Sequence, residues 1–380
     1  MTTRTPTQII ASAKKLSELS GYTKITNAEH FISTLVGIKN NPQGAFGERS
    51  LNNFDFDSYK RLEERFTLSN DGQLPRGGVI SGGKDGPLRL VNVDGQQYLE
   101  MDTYGRGCTH DCSYCPVKAE LTVHGYWNKP FPMPRDVTAV WELFYTVFET
   151  DNHSKWRGLL EERIPLRIGS GSDGLMYMDR KYRITHEVLK LLRYYKYPYI
   201  IVTKSDLIAH DDYIEILDKD LADIQIGISS LNDDMNRHLE PGTPSAKRRL
   251  KGFEKLNRLG FNTTARVNPL FPTHPDGHFT GGNKSKLTLD CFSLDLVDAV
   301  SDVGCKNIMA QFISLNSFSV NHIEKATGID LRTFFTNRTA RDYTYSDTEV
   351  QYYYDKIQER CDSKGVNFIK GEPNRMKGCC

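Results

Sequence analysis

The sequence predicts an α/β chain whose centre is a partial (β/α)6 barrel of the TIM type, with an N-terminal extension over residues 1–95 and a C-terminal α/β addition over 317–380. Three observations predict it. Between residues 96 and 316, short apolar runs alternate with helix-period segments. The run Tyr199-Ile-Ile-Val-Thr203 is continuously apolar, as in parallel strands covered on both faces. Parallel strands joined by crossover helices also wind in one hand, which curls the sheet toward a barrel.

Before that region, Thr7–Leu19, His30–Ile38 and Phe54–Phe66 carry helical patterns separated by Asn-, Gly- and Pro-rich loops. Leu88–Val93 and Gln97–Met101 flank Asp94-Gly95, a strong hairpin signal. Downstream, Asp136 is placed to cap a helix with Val140, Leu143, Phe144 and Val147 on one face, and Pro165–Gly169 reads as a strand. Thr185 is the expected cap of a helix bearing Val188, Leu191, Leu192 and Tyr195. The strand Tyr199–Thr203 follows, then a short helix over 211–217 and a strand over Ala222–Ser229.

Thr243-Pro244 offers a capping hydroxyl and a proline at the first helical position. The helix after it presents Leu250, Phe253, Leu256 and Leu259 and stops at Gly260. Asn262–Phe271 and Asn307–Leu315 are strands around a helix over Asp295–Val303. Beyond them lie a helix, Ser346–Cys361, and a short strand-like run, Val366–Ile369.

Composition narrows the function classes. Of 380 residues, 38% are hydrophobic and 26% charged, which fits a folded globular chain. A net charge of +1 argues against a globally basic coat for nucleic acid. No run of apolar residues is long enough to predict a membrane span, and the first residues lack the apolar core of a signal peptide. Eight cysteines, three of them clustered, suit a reducing cytoplasm better than a disulfide framework.

The three clustered cysteines carry the chemistry. Cys108, Cys112 and Cys115 stand at C-x3-C-x2-C spacing within G-C-T-H-D-C-S-Y-C-P. Thiolates hold iron–sulfur clusters, and three of them on a four-iron cluster leave one iron open to a ligand. Zinc is the rival reading, with His110 inside the loop, but a closed zinc site needs a fourth ligand at short range. The spacing, with Tyr114 before the third cysteine, resembles the radical S-adenosylmethionine (radical SAM) superfamily. That resemblance implies a [4Fe–4S] cluster as cofactor, S-adenosyl-L-methionine (SAM) bound to the open iron, and a flavodoxin- or ferredoxin-like reductant as partner. It also implies a 5′-deoxyadenosyl radical that abstracts hydrogen from a substrate.

The ends of the expected strands are polar: Gly169-Ser-Gly-Ser-Asp-Gly174, Thr203-Lys-Ser-Asp206, Ser229-Ser230, then Arg266 and Asn268. Active sites of such barrels lie at these ends. Together with Leu239-Glu-Pro-Gly-Thr-Pro244 and Arg248-Arg249-Leu250, the segment from about 99 to 272 is similar to the spore photoproduct lyase-like branch. The branch resemblance implies Cys108, Cys112 and Cys115 as cluster ligands. It implies Ser172 and Asp173 near the SAM ribose or methionine group, Lys204 and Ser229 on the SAM carboxylate, and Tyr114 against the adenine. Arg266 and Asn268 join them as cofactor-binding candidates. One departure concerns Ser170, which stands where lyases of that branch carry a hydrogen-donating cysteine. The expected reaction is therefore modification or rearrangement of a nucleobase, a nucleotide or a modified base in DNA, rather than simple thymine-dimer repair.

Two alternatives of other kinds are carried: a radical SAM enzyme acting on a small amino-acid-like metabolite or peptide, and a non-catalytic iron–sulfur or SAM-binding protein. Further residues have open roles. Lys247, Arg248, Arg249, Lys251 and Lys255 make a basic helix that reads as a solvated face or a phosphate contact. Tyr343, Tyr345, Tyr352, Tyr353 and Tyr354 read as core packing or base stacking. His274 and His278 follow the fifth strand, and Cys379-Cys380 end the sequence.

Overall fold

The computed structural model describes residues 87–371, except 94–95, 106, 124–131, 135–137, 272–278, 281–287, 290–292, 336 and 339–341. The helices expected before residue 67, the cap Asp136, His274, His278, Cys291 and the Cys379-Cys380 pair lie outside the described residues.

One sheet of eight strands runs in chain order: β1 (Arg89–Val93), β2 (Gln96–Met101), β3 (Leu166–Ile168), β4 (Tyr199–Thr203), β5 (Ala222–Gly227), β6 (Asn262–Leu270), β7 (Asn307–Phe312) and β8 (Asn367–Lys370). β1 and β2 pair antiparallel with Arg89 opposite Glu100, as the hairpin signal around Asp94-Gly95 predicts. From β2 to β8 every pairing is parallel. The sheet is open between β1 and β8, so it is a partial barrel. The six expected strands are present. The seventh parallel strand, β8, comes from the C-terminal addition, where Asn307 of β7 stands opposite Asn367. The sheet also begins before residue 96, with β1.

Alternation along the strands separates two faces. Leu99, Leu166, Ile168, Ile224, Ile226, Ala265 and Val267 are buried under the helices. Between them sit Glu100, Arg167, Gln225 and Arg266, buried as well but polar. The lumen therefore carries charge: Glu100 pairs with both Arg89 and Arg167. Around the outside lie α1 (Pro116–Val123), α2 (Thr138–Phe148), α3 (Ile184–Tyr194), α4 (Asp233–Leu239), α5 (Ala246–Arg258), α6 (Asp295–Asp302), α7 (Ser317–Thr327) and α8 (Asp347–Lys364). Most of their expected apolar positions are buried, including Val140, Phe144 and Val147 of α2, Val188, Leu191 and Leu192 of α3, and Phe253 and Leu256 of α5, but Leu259, expected on the α5 face, is the residue after the helix and is exposed.

Two helix starts differ from the sequence expectation. Thr185 lies inside the first turn of α3 and does not cap it. Arg183, in the left-handed region, precedes the helix, and the carboxylate of Asp179 accepts from the Thr185 and His186 amides. α5 is capped by Ser245, whose hydroxyl accepts from the Arg248 amide, rather than by Thr243. Thr243 instead donates to the carbonyl of Glu240 at 2.9 Å. In both places a nearby acceptor competes for the residue that local capping preference would select. The last helix carries the full capping box, with Ser346 and Glu349 bonding reciprocally.

Candidate active site

The connection between β2 and β3 holds the cysteine loop. Its local fold follows from short-range bonds. The Asp111 amide donates to the Cys108 carbonyl (3.2 Å), and the Cys115 amide donates to the Cys112 carbonyl (3.3 Å). Pro116 opens α1 at the position where a missing N–H costs nothing. The Lys118 amide, on the first turn of that helix, donates to Cys115 Sγ at 3.4 Å. Lys118 also pairs with Asp111 across the loop (2.6 Å).

Two distant segments hold this loop against the barrel. His110 places Nδ1 3.0 Å from the Gly242 carbonyl and Nε2 2.9 Å from Asp173 Oδ2. The Ser113 amide donates to the Leu239 carbonyl (2.8 Å), and the Gly242 amide donates to the His110 carbonyl (3.1 Å). The Tyr114 hydroxyl donates to Glu240. Glu240 in turn pairs with Arg249 at 2.9 Å, both wholly buried. Leu239–Gly242, which the sequence marks only as a branch resemblance, is thus a bracket for the cysteine loop.

The loop, the strand ends and β6 enclose a cleft of about 820 Å3, its open mouth included. All three cysteines line it. So do Tyr114, Ser172, Asp173, Lys204, Arg266 and Asn268. Nine of the ten expected site residues therefore converge. Ser229 is not among the lining residues, although it follows the lining residue Gly227 by two positions. Its buried hydroxyl oxygen has no hydrogen-bond partner among the described residues. Val202, Pro269 and Ile313, unmarked as site residues in the sequence, supply apolar wall. Apolar wall positions carry no sequence mark that separates them from core.

Asp173 is held from several sides. It accepts from Leu175 N (2.9 Å) and Thr203 Oγ1 (2.8 Å) through Oδ1, and from Lys204 N (2.6 Å) through Oδ2, which also faces His110. Both oxygens are engaged within the protein, so the side chain organises the strand ends at the wall of the cleft. Burial alone would raise its carboxyl, but His110, the Lys204 amide and the Thr203 hydroxyl hold it below the usual carboxylate range. Ser172 likewise donates its hydroxyl proton to the Tyr104 carbonyl (2.6 Å). The basic helix, whose role the sequence leaves open, is largely ion-paired. Arg249 is buried against Glu240, Arg248 grips Asp206 at 2.8 and 3.0 Å, and Lys255 reaches Asp211 at 2.6 Å. The tyrosines at 343, 345 and 354 are buried, and those at 345 and 354 pack on Phe312.

The donor set fits a cluster. Burial pushes the Cys108 thiol up to about 12, with Asp173 adding to it, and burial also raises Cys112 despite the opposing charge of Lys204. Thiols in this setting become thiolates when a metal cation supplies the missing positive charge. Among the described residues, no three His, Cys, Asp or Glu side chains converge on one metal ion.

Residues 103–280 match the Radical SAM superfamily. This stretch is a radical SAM domain. Enzymes of the superfamily use a [4Fe–4S] cluster and SAM, and the domain contains the cysteine loop, the strand ends and the Leu239–Gly242 bracket. An uncharacterized protein of Methanocaldococcus jannaschii is 22% identical over 210 residues, covering 53% of this chain and 71% of that protein. An uncharacterized protein of Acidianus two-tailed virus is 21% identical over 230 residues, covering 57% and 68%. A solved mutant of spore photoproduct lyase with bound AdoMet and dinucleoside spore photoproduct superposes with a TM-score of 0.51 at 18% identity, over 71% of this chain and 75% of that one. At that identity the likeness is one of fold. Among the described residues no helix is long and apolar enough to cross a membrane.

Proposed function

We propose that this radical SAM enzyme acts on a nucleobase, nucleotide or modified base in DNA, modifying or rearranging it rather than reversing a thymine dimer by the usual route. The observation that carries the enzymatic part is the single cleft onto which Cys108, Cys112, Cys115, Lys204 and Arg266 all open. The cleft would hold a [4Fe–4S] cluster and SAM, which would supply hydrogen-abstracting radical chemistry there with one electron from a flavodoxin- or ferredoxin-like donor.

The protein's own residues have the following parts. Cys108, Cys112 and Cys115 hold the cluster. Tyr114 gives an aromatic wall, and Lys204, whose Nζ lies 5.7 Å from the centre of that ring, offers an ammonium to the SAM carboxylate. Ser229 offers its unpartnered hydroxyl to the same end of the cofactor. Arg266 and Asn268 lie on β6, reached from the cysteine loop across the cleft, and recognise polar atoms of the bound molecules. Val202, Pro269 and Ile313 keep water from the reacting centre.

The nucleobase reading rests on the similarity of the strand ends to the lyase-like branch and on a fold shared with a lyase solved with a dinucleoside photoproduct. The ion-paired basic helix favours recognition of a base-sized unit over tracking along a duplex. Ser170 supports a departure from simple repair: its hydroxyl accepts from Arg89 at 3.0 Å and it is not among the cleft-lining residues. The test is anaerobic cluster reconstitution followed by dithionite, SAM and deuterated nucleosides or oligonucleotides. Wild type is expected to form 5′-deoxyadenosine carrying deuterium from one of them, and Cys112→Ala to form none. Deuterium transfer from amino acids or peptides alone would overturn the nucleobase reading.

A further inference from the structure

The Leu239–Gly242 bracket contains a buried charge that the cofactor chemistry does not call for. Glu240 is wholly buried, with one oxygen paired to Arg249 at 2.9 Å and the other accepting from the Tyr114 hydroxyl. Arg249, also wholly buried, anchors the pair by donating to the carbonyl of Gly227 at 2.8 Å, at the carboxyl end of β5. Fully buried ion pairs contribute little net stability compared with apolar packing of the same volume. What such a pair supplies well is a fixed direction.

That direction is set for Tyr114. Its hydroxyl is tied to Glu240, its ring meets Phe271 edge-on at 5.6 Å and 75°, and Lys204 Nζ lies 5.7 Å from its centre. Gly227 completes the arrangement, because a β-carbon there would fall 2.8 Å from Lys204 Cγ and push the lysine off its course. We propose that Glu240 is a positioning residue for SAM capture: it fixes the ring of Tyr114, and through that ring the ammonium of Lys204, relative to the cysteine loop. This rests on the reading of Lys204 as the partner of the SAM carboxylate. The chain Arg249–Glu240–Tyr114–Lys204 links the end of β5 to the cluster loop.

Two variants test it in the reconstituted holoprotein. Tyr114→Phe keeps the ring and removes its tether. Glu240→Gln combined with Arg249→Met removes the charges together, so that neither is left buried alone. Iron content and SAM affinity, read from the change in the electron paramagnetic resonance spectrum of the reduced cluster on SAM titration, are measured in parallel. The alkylation rate of Cys112 in the cluster-free protein gives a third readout. The expected result is wild-type iron content in both variants, SAM affinity weakened about five-fold in Tyr114→Phe, the worth of one orienting hydrogen bond, and more in the double variant. Cys112 alkylation is expected to quicken in both. Unchanged SAM affinity at equal iron content overturns the positioning role alone, as does a loss of iron and of SAM binding in step, which is the mark of a merely structural bracket. A wild-type cluster whose spectrum does not respond to SAM overturns the cofactor reading itself and the positioning role with it.

Discussion

Gly242 passes so close to Thr109 that a β-carbon on it would fall 1.8 Å from the Thr109 carbonyl oxygen. The bracket and the cysteine loop thus meet backbone to backbone, and only a glycine allows it. Gly242→Ala is expected to push the loop outward, costing on the order of 1–3 kcal/mol. Iron content after reconstitution should fall while the barrel still unfolds cooperatively; full iron loading in this variant would contradict the packing.

Asp173 predicts a pH dependence. Its folded carboxyl is held below the usual range, so its contribution to stability is present above the unfolded value of about 4 and is lost as pH falls through the folded one. Resistance of the cluster-free protein to denaturation should therefore weaken below about pH 4. Asp173→Asn weakens the hydrogen bonds that the carboxylate accepts and should lower stability at pH 7 by about 1–3 kcal/mol, with a shallower decline in acid. Equal acid slopes for wild type and variant would sink the assignment.

Arg249 and Glu240 make a double-mutant cycle informative. Arg249→Met alone leaves the Glu240 carboxylate buried beside Tyr114, at a cost of about 3–5 kcal/mol. Adding Glu240→Gln should restore most of that, because the stranded charge is gone. Urea denaturation of the two single variants and the pair measures the coupling, and simple additivity would deny the pair its place.

Ser170→Cys is expected to leave product identity unchanged. The side chain at 170 is 1% exposed and faces Arg89 rather than the cleft. Chromatography of products from deuterated substrate checks this; a new, hydrogen-quenched product in the variant would show that the thiol reaches the substrate radical.

Arg248→Ala is expected to change stability by less than about 1 kcal/mol, since its pairing with Asp206 is at the surface. Its effect on oligonucleotide affinity should be equally small at physiological salt. A large, salt-dependent loss would return the basic helix to the binding surface.

Chemistry and topology were legible in different ways. The cysteine loop could be read at once, because the spacing of three thiolates is a local property of the chain. The strands could be read too, since buried parallel strands are apolar throughout, as Tyr199–Thr203 shows. Helix starts were less legible. Thr185 and Thr243 have the capping chemistry, yet Gly174, Asp179 and Glu240 take up their bonds. β8 was visible as a short apolar run, but its membership in the main sheet depends on pairing with β7, sixty residues away in sequence.

The sequence by itself determined the cofactor chemistry, the alternation of strands and helices, and the strand ends on which the site would be built. All of these follow from residue types at short, fixed spacing. Only the tertiary structure decided what the buried charges do. Asp173 is tied into the strand ends, Arg249 turned from a basic surface into the core, and Glu240 became the holder of Tyr114. The physical reason is that a charge leaves water only where a distant partner meets it, and a partner 63 residues away for His110, or 126 for Tyr114, carries no trace in the local pattern.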